Sequence, residues 1–293
     1  MSIEKRISVI GGDFRINKLA IMLADDGHKV RTFAMEKSNE IMEDERIIKC
    51  ENLDEAINES DIIIGSVPFL REDKEMYVTF SDEHIKFEDL VKEEHKDKIF
   101  IAGSIQEDAK NMLSEKYGNV IDIMQREEFA VLNTIATAEG AINVAITNTD
   151  KILHGSKVLV LGFGRVGKVI ARKFSALSAD VTCAARKDAD LAWINAFGYH
   201  VTDINKLGEN LSEFDIIINT VPQMIINHDR LQYMKKDVLL IDLASNPGGI
   251  NRDDAKKLGL KLIWALALPG KVAPLTSAGF MKQTIYNIFR ELT

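Results

Sequence analysis

Short uninterrupted apolar runs alternate with stretches of three-four apolar spacing along most of this chain. Val158, Leu159, Val160 and Leu161 form one such run, as a parallel strand buried on both faces requires. Val166, Val169, Ile170, Phe174 and Leu177 then recur at helical spacing and predict a helix with one buried stripe. Asp180–Ala185 predicts the next strand. The same order occurs near the beginning, where Arg6–Gly12 reads as strand and turn. Leu19, Ile21, Met22 and Leu23 follow as a helix, and Gly27–Phe33 as a second strand. Asp61–Pro68 (DIIIGSVP) mirrors Asp215–Pro222 (DIIINTVP). A chain that repeats strand-turn-helix units at a near-constant offset predicts an α/β protein. Its architecture is two Rossmann-like doubly wound parallel-sheet domains with a cleft between them.

The pattern also sets boundaries. Phe129, Leu132, Ile135, Ala136 and Ile142 give helix-like spacing with few breakers, which places the joint within 127–148. Residues 1–132 are then a substrate-binding domain and 133–275 a cofactor-binding domain. Met281, Ile285, Ile288 and Leu292 predict a terminal amphipathic helix, 276–293, that crosses back onto the first domain. Thr276 or Ser277 suits its N-cap. The charge-rich stretch 72–98 reads as a solvated, loosely ordered excursion.

Composition narrows the class. With 293 residues the chain is long enough for two cores, and 46% hydrophobic with 28% charged residues is ordinary for a water-soluble globular protein. A net charge of −8 without a basic stripe argues against nucleic acid and anionic membranes as partners. No apolar run reaches the length of a membrane helix, no leader segment is evident, and a cytoplasmic location is expected. Cys50 and Cys183 stand apart without a C-x-x-C and read as two buried thiols.

Gly162, Gly164 and Gly167 give G-x-G-x-x-G directly between the strand and the helix, the context in which this spacing binds a dinucleotide. The helix N-terminus suits a diphosphate. At the end of the next strand Ala184-Ala185-Arg186-Lys187 offers two cations where an NAD site places a carboxylate, which predicts NADP, although Asp188 and Asp190 follow closely. Gly162, Gly164, Arg165, Val166, Gly167, Ala185, Arg186, Lys187, Thr220, Val221, Pro222 and Asp242 make up the expected cofactor set. For Asp242, a role in capping its own loop is the alternative.

The first domain has Gly11-Gly12-Asp13 without the third glycine, so no second cofactor is assigned to it. Its loops after strands, Gly11–Arg15, Gly65–Pro68 and Ala102–Ser104, are the candidate substrate loops. Arg15, Ser66 and Ser104, with Asn133 and Thr137 from the joint, are the expected substrate-binding residues; Glu139 is the candidate general base. The six histidines lack metal-ligand spacing, and the hydrolase and phosphate-loop motifs are missing, so a metal-free site that moves a hydride is expected.

The ordered set GGDFR at Gly11–Arg15, GSVPF at Gly65–Phe69, NTIATAEG at Asn133–Gly140, LGFGRVG at Leu161–Gly167, NTVP at Asn219–Pro222, DLASNPGG at Asp242–Gly249 and LPGKVAPLTSAG at Leu268–Gly279 resembles the A subunits of dipicolinate synthase. Single pieces also resemble alanine and shikimate dehydrogenases. The resemblance implies NADP-dependent formation of pyridine-2,6-dicarboxylate, a small dicarboxylate, from a dihydro or hydroxytetrahydro precursor of the lysine/diaminopimelate branch. It further implies a partner, the flavoprotein-like B subunit of dipicolinate synthase, together with a homo-oligomer and action in the mother cell during sporulation. Two other readings stay open: an amino-acid or hydroxy-acid dehydrogenase, and a non-catalytic NADP-sensing protein.

Overall fold

The computed structural model describes residues 4–292. It contains two six-stranded sheets, parallel throughout. The first is built from β1 (Arg6–Ile10), β2 (Lys29–Phe33), β3 (Ile47–Lys49), β4 (Ile62–Ile64), β5 (His95–Ala102) and β6 (Tyr117–Asp122), in the order β3-β2-β1-β4-β5-β6. The second comprises β7 (Lys157–Leu161), β8 (Asp180–Ala185), β9 (His200–Asp203), β10 (Ile216–Asn219), β11 (Leu239–Asp242) and β12 (Lys261–Trp264), in the order β12-β11-β10-β7-β8-β9. Both are doubly wound, and the order reverses between β1 and β4 and between β7 and β10. The compact units are 1–132 with 273–293, and 133–272.

The strands are apolar on both faces because both faces are covered. In β7, Val158 and Val160 join one core cluster and Leu159 and Leu161 the other, as the period of two requires. In β4, Ile62 and Ile64 face one cluster and Ile63 the other. The helix Arg165–Ala176 lays Ile170, Ala171 and Phe174 against the Val158 side. Leu177, expected in that stripe, is the exposed C-cap instead.

The terminal helix runs over Pro274–Leu292 and buries Met281, Ile285 and Ile288 with Leu19 and Leu23 of the helix Phe14–Asp25. It begins on Pro274, whose lack of an N–H costs nothing in a first turn, so Thr276 and Ser277 lie inside the helix rather than at its cap. Two further expectations are corrected. The stretch 72–94 is not loose: Met76, Val78, Ile85, Phe87 and Leu90 are buried in the first unit's core, and β5 begins at His95. Sparse apolar residues anchor a segment whose charges point outward. The helix Glu127–Asn148 is long and apolar enough to cross a membrane, because its Ala, Val, Ile, Leu and Phe outweigh the polar residues interspersed among them. Its Ala138, Ala141 and Ala145 are packed into the second unit's core.

Candidate functional site

In the second unit a cavity of about 500 Å³ opens at the C-terminal ends of β7, β8 and β10. Gly162, Gly164, Arg165, Val166, Ala185, Arg186, Lys187, Thr220, Val221 and Pro222 all line it. This is the crevice where a doubly wound sheet receives its ligand.

The three glycines have three different reasons. Gly162 has φ +95°, and a Cβ there would lie 2.6 Å from Thr220 Oγ1. The turn therefore needs both the left-handed backbone and the missing side chain. A Cβ on Gly167 would lie 2.1 Å from the Gly162 carbonyl oxygen, so the helix can approach the turn only without one. Gly167 thus packs the turn and does not line the cavity. At Gly164 a Cβ would meet no atom within 4 Å. The empty volume there adjoins the first N–H groups of the helix Arg165–Ala176, for which Gly164 is the N-cap without a side-chain cap. An uncapped helix start facing open space, with Arg186 and Lys187 on the same cavity, fits a diphosphate-bearing dinucleotide.

Phe163, Ile204, Asn205, Gln223 and Ile225 on the cavity wall were not singled out from the sequence, and Asp190, noted there only as a carboxylate close to Arg186 and Lys187, joins them. Ile204 and Asn205 follow the edge strand β9, far from any glycine signal. Asp190 lies in the first turn of the helix Asp188–Ala196, where the helix dipole favours a carboxylate.

Asp242 is not on this wall. It is 1% exposed. Its Oδ1 accepts from the Ala244 N–H at 3.0 Å and from Asn219 Nδ2 at 2.8 Å. Its Oδ2 accepts from the Gly249 and Ile250 N–H groups at 2.8 and 3.1 Å. Both oxygens are used within the protein, in the manner of a loop cap. Glu139 is exposed and its carboxylate meets Lys173 Nζ at 2.8 Å.

Two of the expected substrate groups in the first unit also have internal work. The buried Ser66 hydroxyl donates to the Phe69 carbonyl at 2.8 Å, so it holds the loop Gly65–Phe69 together. Arg15 is 5% exposed. It bonds both oxygens of Asp13 and the Val67 carbonyl. Ser104 is exposed with φ +58°, and its N–H donates to Asp122. On the helix Glu127–Asn148, Thr137 Oγ1 donates to the Asn133 carbonyl at 3.0 Å. The Asn133 Oδ1 is buried without a hydrogen-bond partner. Burial pushes the Cys183 thiol up to about 12 and the Cys50 thiol up to about 11, so neither is a nucleophile at neutral pH.

The first unit's own glycine turn is filled by the chain. The Gly12 N–H donates to the Tyr77 carbonyl at 2.8 Å, and the Thr79 N–H to the Gly12 carbonyl at 3.1 Å. Asp13 supplies the helix Phe14–Asp25 with an anion by accepting from the Arg15 N–H. Strap and cap together occupy the place that is open in the second unit.

Residues 6–124 match the family model for the N-terminal domain of the dipicolinate synthase A subunit. Residues 133–252 match the NAD-binding domain of D-isomer-specific 2-hydroxyacid dehydrogenases. The A subunit of dipicolinate synthase from Bacillus subtilis is 33% identical, over 98% of this chain and 96% of that protein. The chain belongs to the family of dipicolinate synthase A subunits. The crystal structure of the B. subtilis protein superposes with a TM-score of 0.88 at 32% identity, covering 99% of this chain and 97% of that one. The A subunit from Bacillus halodurans gives 0.88 at 31% identity, with 97% of each chain covered. The family membership and the dehydrogenase-type domain together make this an NAD(P)-dependent oxidoreductase. Membership in a family of enzyme subunits implies a partner in the complex.

Proposed function

We propose that this chain uses NADP to form pyridine-2,6-dicarboxylate from dihydrodipicolinate or its hydroxytetrahydro precursor, in the cytoplasm of the mother cell during sporulation. The observation that carries the reading is the open, uncapped helix start at Gly164 beside Arg186 and Lys187, in a chain of this family. Aromatising a dihydropyridine removes one hydride and one proton; the hydroxytetrahydro precursor loses water as well. The bound nicotinamide supplies a hydride acceptor. The chain's own residues bind and orient. The N–H groups at the start of Arg165–Ala176 take the diphosphate, and Gly162 and Gly167 let that helix sit close enough to do so. Arg186 and Lys187 take a ribose 2′-phosphate, to which an arginine can donate two parallel hydrogen bonds. Asp190 is outnumbered by these cations on the shared wall. In the first unit Ser104 offers an exposed hydroxyl and Arg15 a guanidinium to the substrate carboxylates, with Ser66 supporting the loop between. Asn133, with an unsatisfied acceptor, gains from any ligand donor that reaches it. A homo-oligomer and a flavoprotein-like second subunit complete the reading.

The test is NADP reduction, followed by absorbance, with enzymatically generated dihydrodipicolinate. Dinucleotide reduction is expected; none, with or without the partner protein, overturns the reading. A second reading, in which the chain senses NADP without turnover, draws on the ion pair that occupies Glu139. It gains if Gly164→Val abolishes cofactor binding while the assembled complex stays fully active.

A further inference from the structure

The loop after β10 is gripped from three sides. Asn219 is completely buried at the end of that strand, yet it is polar and makes a two-point clamp on its own loop. Its Oδ1 accepts from the Val221 N–H at 3.1 Å, and its Nδ2 donates to the Val221 carbonyl at 3.0 Å. The same Nδ2 donates to Asp242 Oδ1 at 2.8 Å. Asp242 in turn holds the N–H groups of Ala244, Gly249 and Ile250. One buried Asn–Asp pair therefore ties together the loops after β10 and β11. Two glycines close the grip. A Cβ on Gly249 would lie 2.4 Å from Asn219 Nδ2 and 2.5 Å from the Val221 carbonyl oxygen. A Cβ on Gly162 would lie 2.7 Å from Val221 Cγ2. The Thr220 hydroxyl donates to the Leu161 carbonyl at 2.8 Å, which fastens the loop to the glycine turn itself.

Asn219 and Asp242 reach no open space, while Thr220, Val221 and Pro222 line the cavity. We infer that Asn219, braced by Asp242, is a positioning residue: it fixes the Thr220–Pro222 wall so that the cavity is shaped before a dinucleotide arrives. This rests on the proposed nicotinamide dinucleotide as ligand. Arg186 and Lys187 approach the cavity from the end of β8, so the two ends of the ligand depend on different walls. Loss of the clamp weakens whatever leans on Thr220–Pro222 and spares what leans on Arg186.

The experiment is a fluorescence titration with NADPH and NADH, well below the melting temperature of every variant. The wild type is expected to bind at least one of them. Asn219→Ala is expected to raise the Kd of the tighter one at least about tenfold. The adenosine phosphate half of that cofactor (adenosine 2′,5′-bisphosphate or AMP), measured by competition or calorimetry, is expected to keep its affinity within about twofold. Leu211→Ala, a fully buried change preceding β10 in the same core, controls for general destabilisation and should leave both affinities near wild type. Should Asn219→Ala not fold, Gly249→Ala forces the same contact from the other side and should show the same split. Unchanged dinucleotide affinity in these variants, or an equal loss for whole cofactor and fragment, overturns the positioning role. A wild type that binds neither dinucleotide overturns instead the reading on which the role rests.

Discussion

Two glycines three residues apart in one motif answer to opposite constraints. Gly164 has φ −77°, which any residue adopts, and a Cβ there points into empty space. Gly167 is shut in by the Gly162 carbonyl. Gly164→Val should therefore leave thermal stability close to wild type and raise the NADPH Kd by about a hundredfold or more, since it fills the space a diphosphate needs. Gly167→Ala should cost about 1–3 kcal/mol of stability through overpacking, read from denaturant unfolding. Arg186 gives a third outcome of the same kind. Losing charge-assisted bonds worth about 1.5–3 kcal/mol should raise the NADPH Kd of Arg186→Ala roughly 10- to 100-fold and leave that for NADH nearly unchanged. Equal wild-type affinities for the two cofactors would end the NADP assignment. These residues were legible because their signal is local: spacing, context and charge stand next to each other in the chain. The internal bonds of Ser66, Arg15 and Asp242 were not. Each residue carries a suitable functional group, but its partner is fixed only by folding: Phe69 for Ser66, Asp13 and Val67 for Arg15, and backbone N–H groups for Asp242.

At the scale of elements, the terminal helix is held by a polar relay as well as an apolar face. The Lys5 N–H donates to His28 Nδ1, so Nε2 carries the ring hydrogen and donates to Tyr286 Oη at 3.1 Å. Tyr286 donates to Asp26, which Lys282 also meets at 2.8 Å. Burial and the nearby Lys5 and Lys282 hold the His28 pKa below its ordinary value, against the pull of Asp26 and Glu4. Burial opposes the Asp26 charge, but the bonds from Lys282 and Tyr286 outweigh it and lower that pKa too. Both shifts are downward, so the unfolded chain binds protons first as pH falls. The His28 contribution is complete above about pH 6.5 and is lost below it; that of Asp26 is lost only below about pH 4. Melting temperature should fall between about pH 7.5 and 5.5, and the fall should be smaller in His28→Asn. An identical fall in the variant would remove His28 from the account. Buried His95 shares the sign, which is why the comparison is with a variant rather than with zero. Nothing in the apolar spacing of the helix announced this relay, because its members lie at the two ends of the chain.

For the whole molecule, the repeated pattern conveyed two doubly wound sheets because parallel strands covered on both faces must be written as apolar runs, wherever they occur. The same pattern could not say that one half is open at its glycine turn and the other closed. That difference lies in the strap Tyr77–Phe80, whose charged neighbours make it read as solvent-exposed, and in one carboxylate at Asp13. A ligand that binds only the folded state stabilises it by about 2.7 kcal/mol at a hundred times its Kd. Because amides exchange through local openings, that stabilisation should appear where the ligand is held. Saturating NADPH should slow hydrogen exchange at Gly162–Lys168, Ala185–Lys187 and Thr220–Ile225. Exchange at Gly11–Ile16 should not change, since a backbone bonded to Tyr77 and Thr79 has no vacancy for a phosphate. Protection arising first at Gly11–Ile16 would mean that the strap yields and that the two halves are equivalent in binding after all. Its absence would make the strap and Asp13 the features that reserve the dinucleotide for the second half.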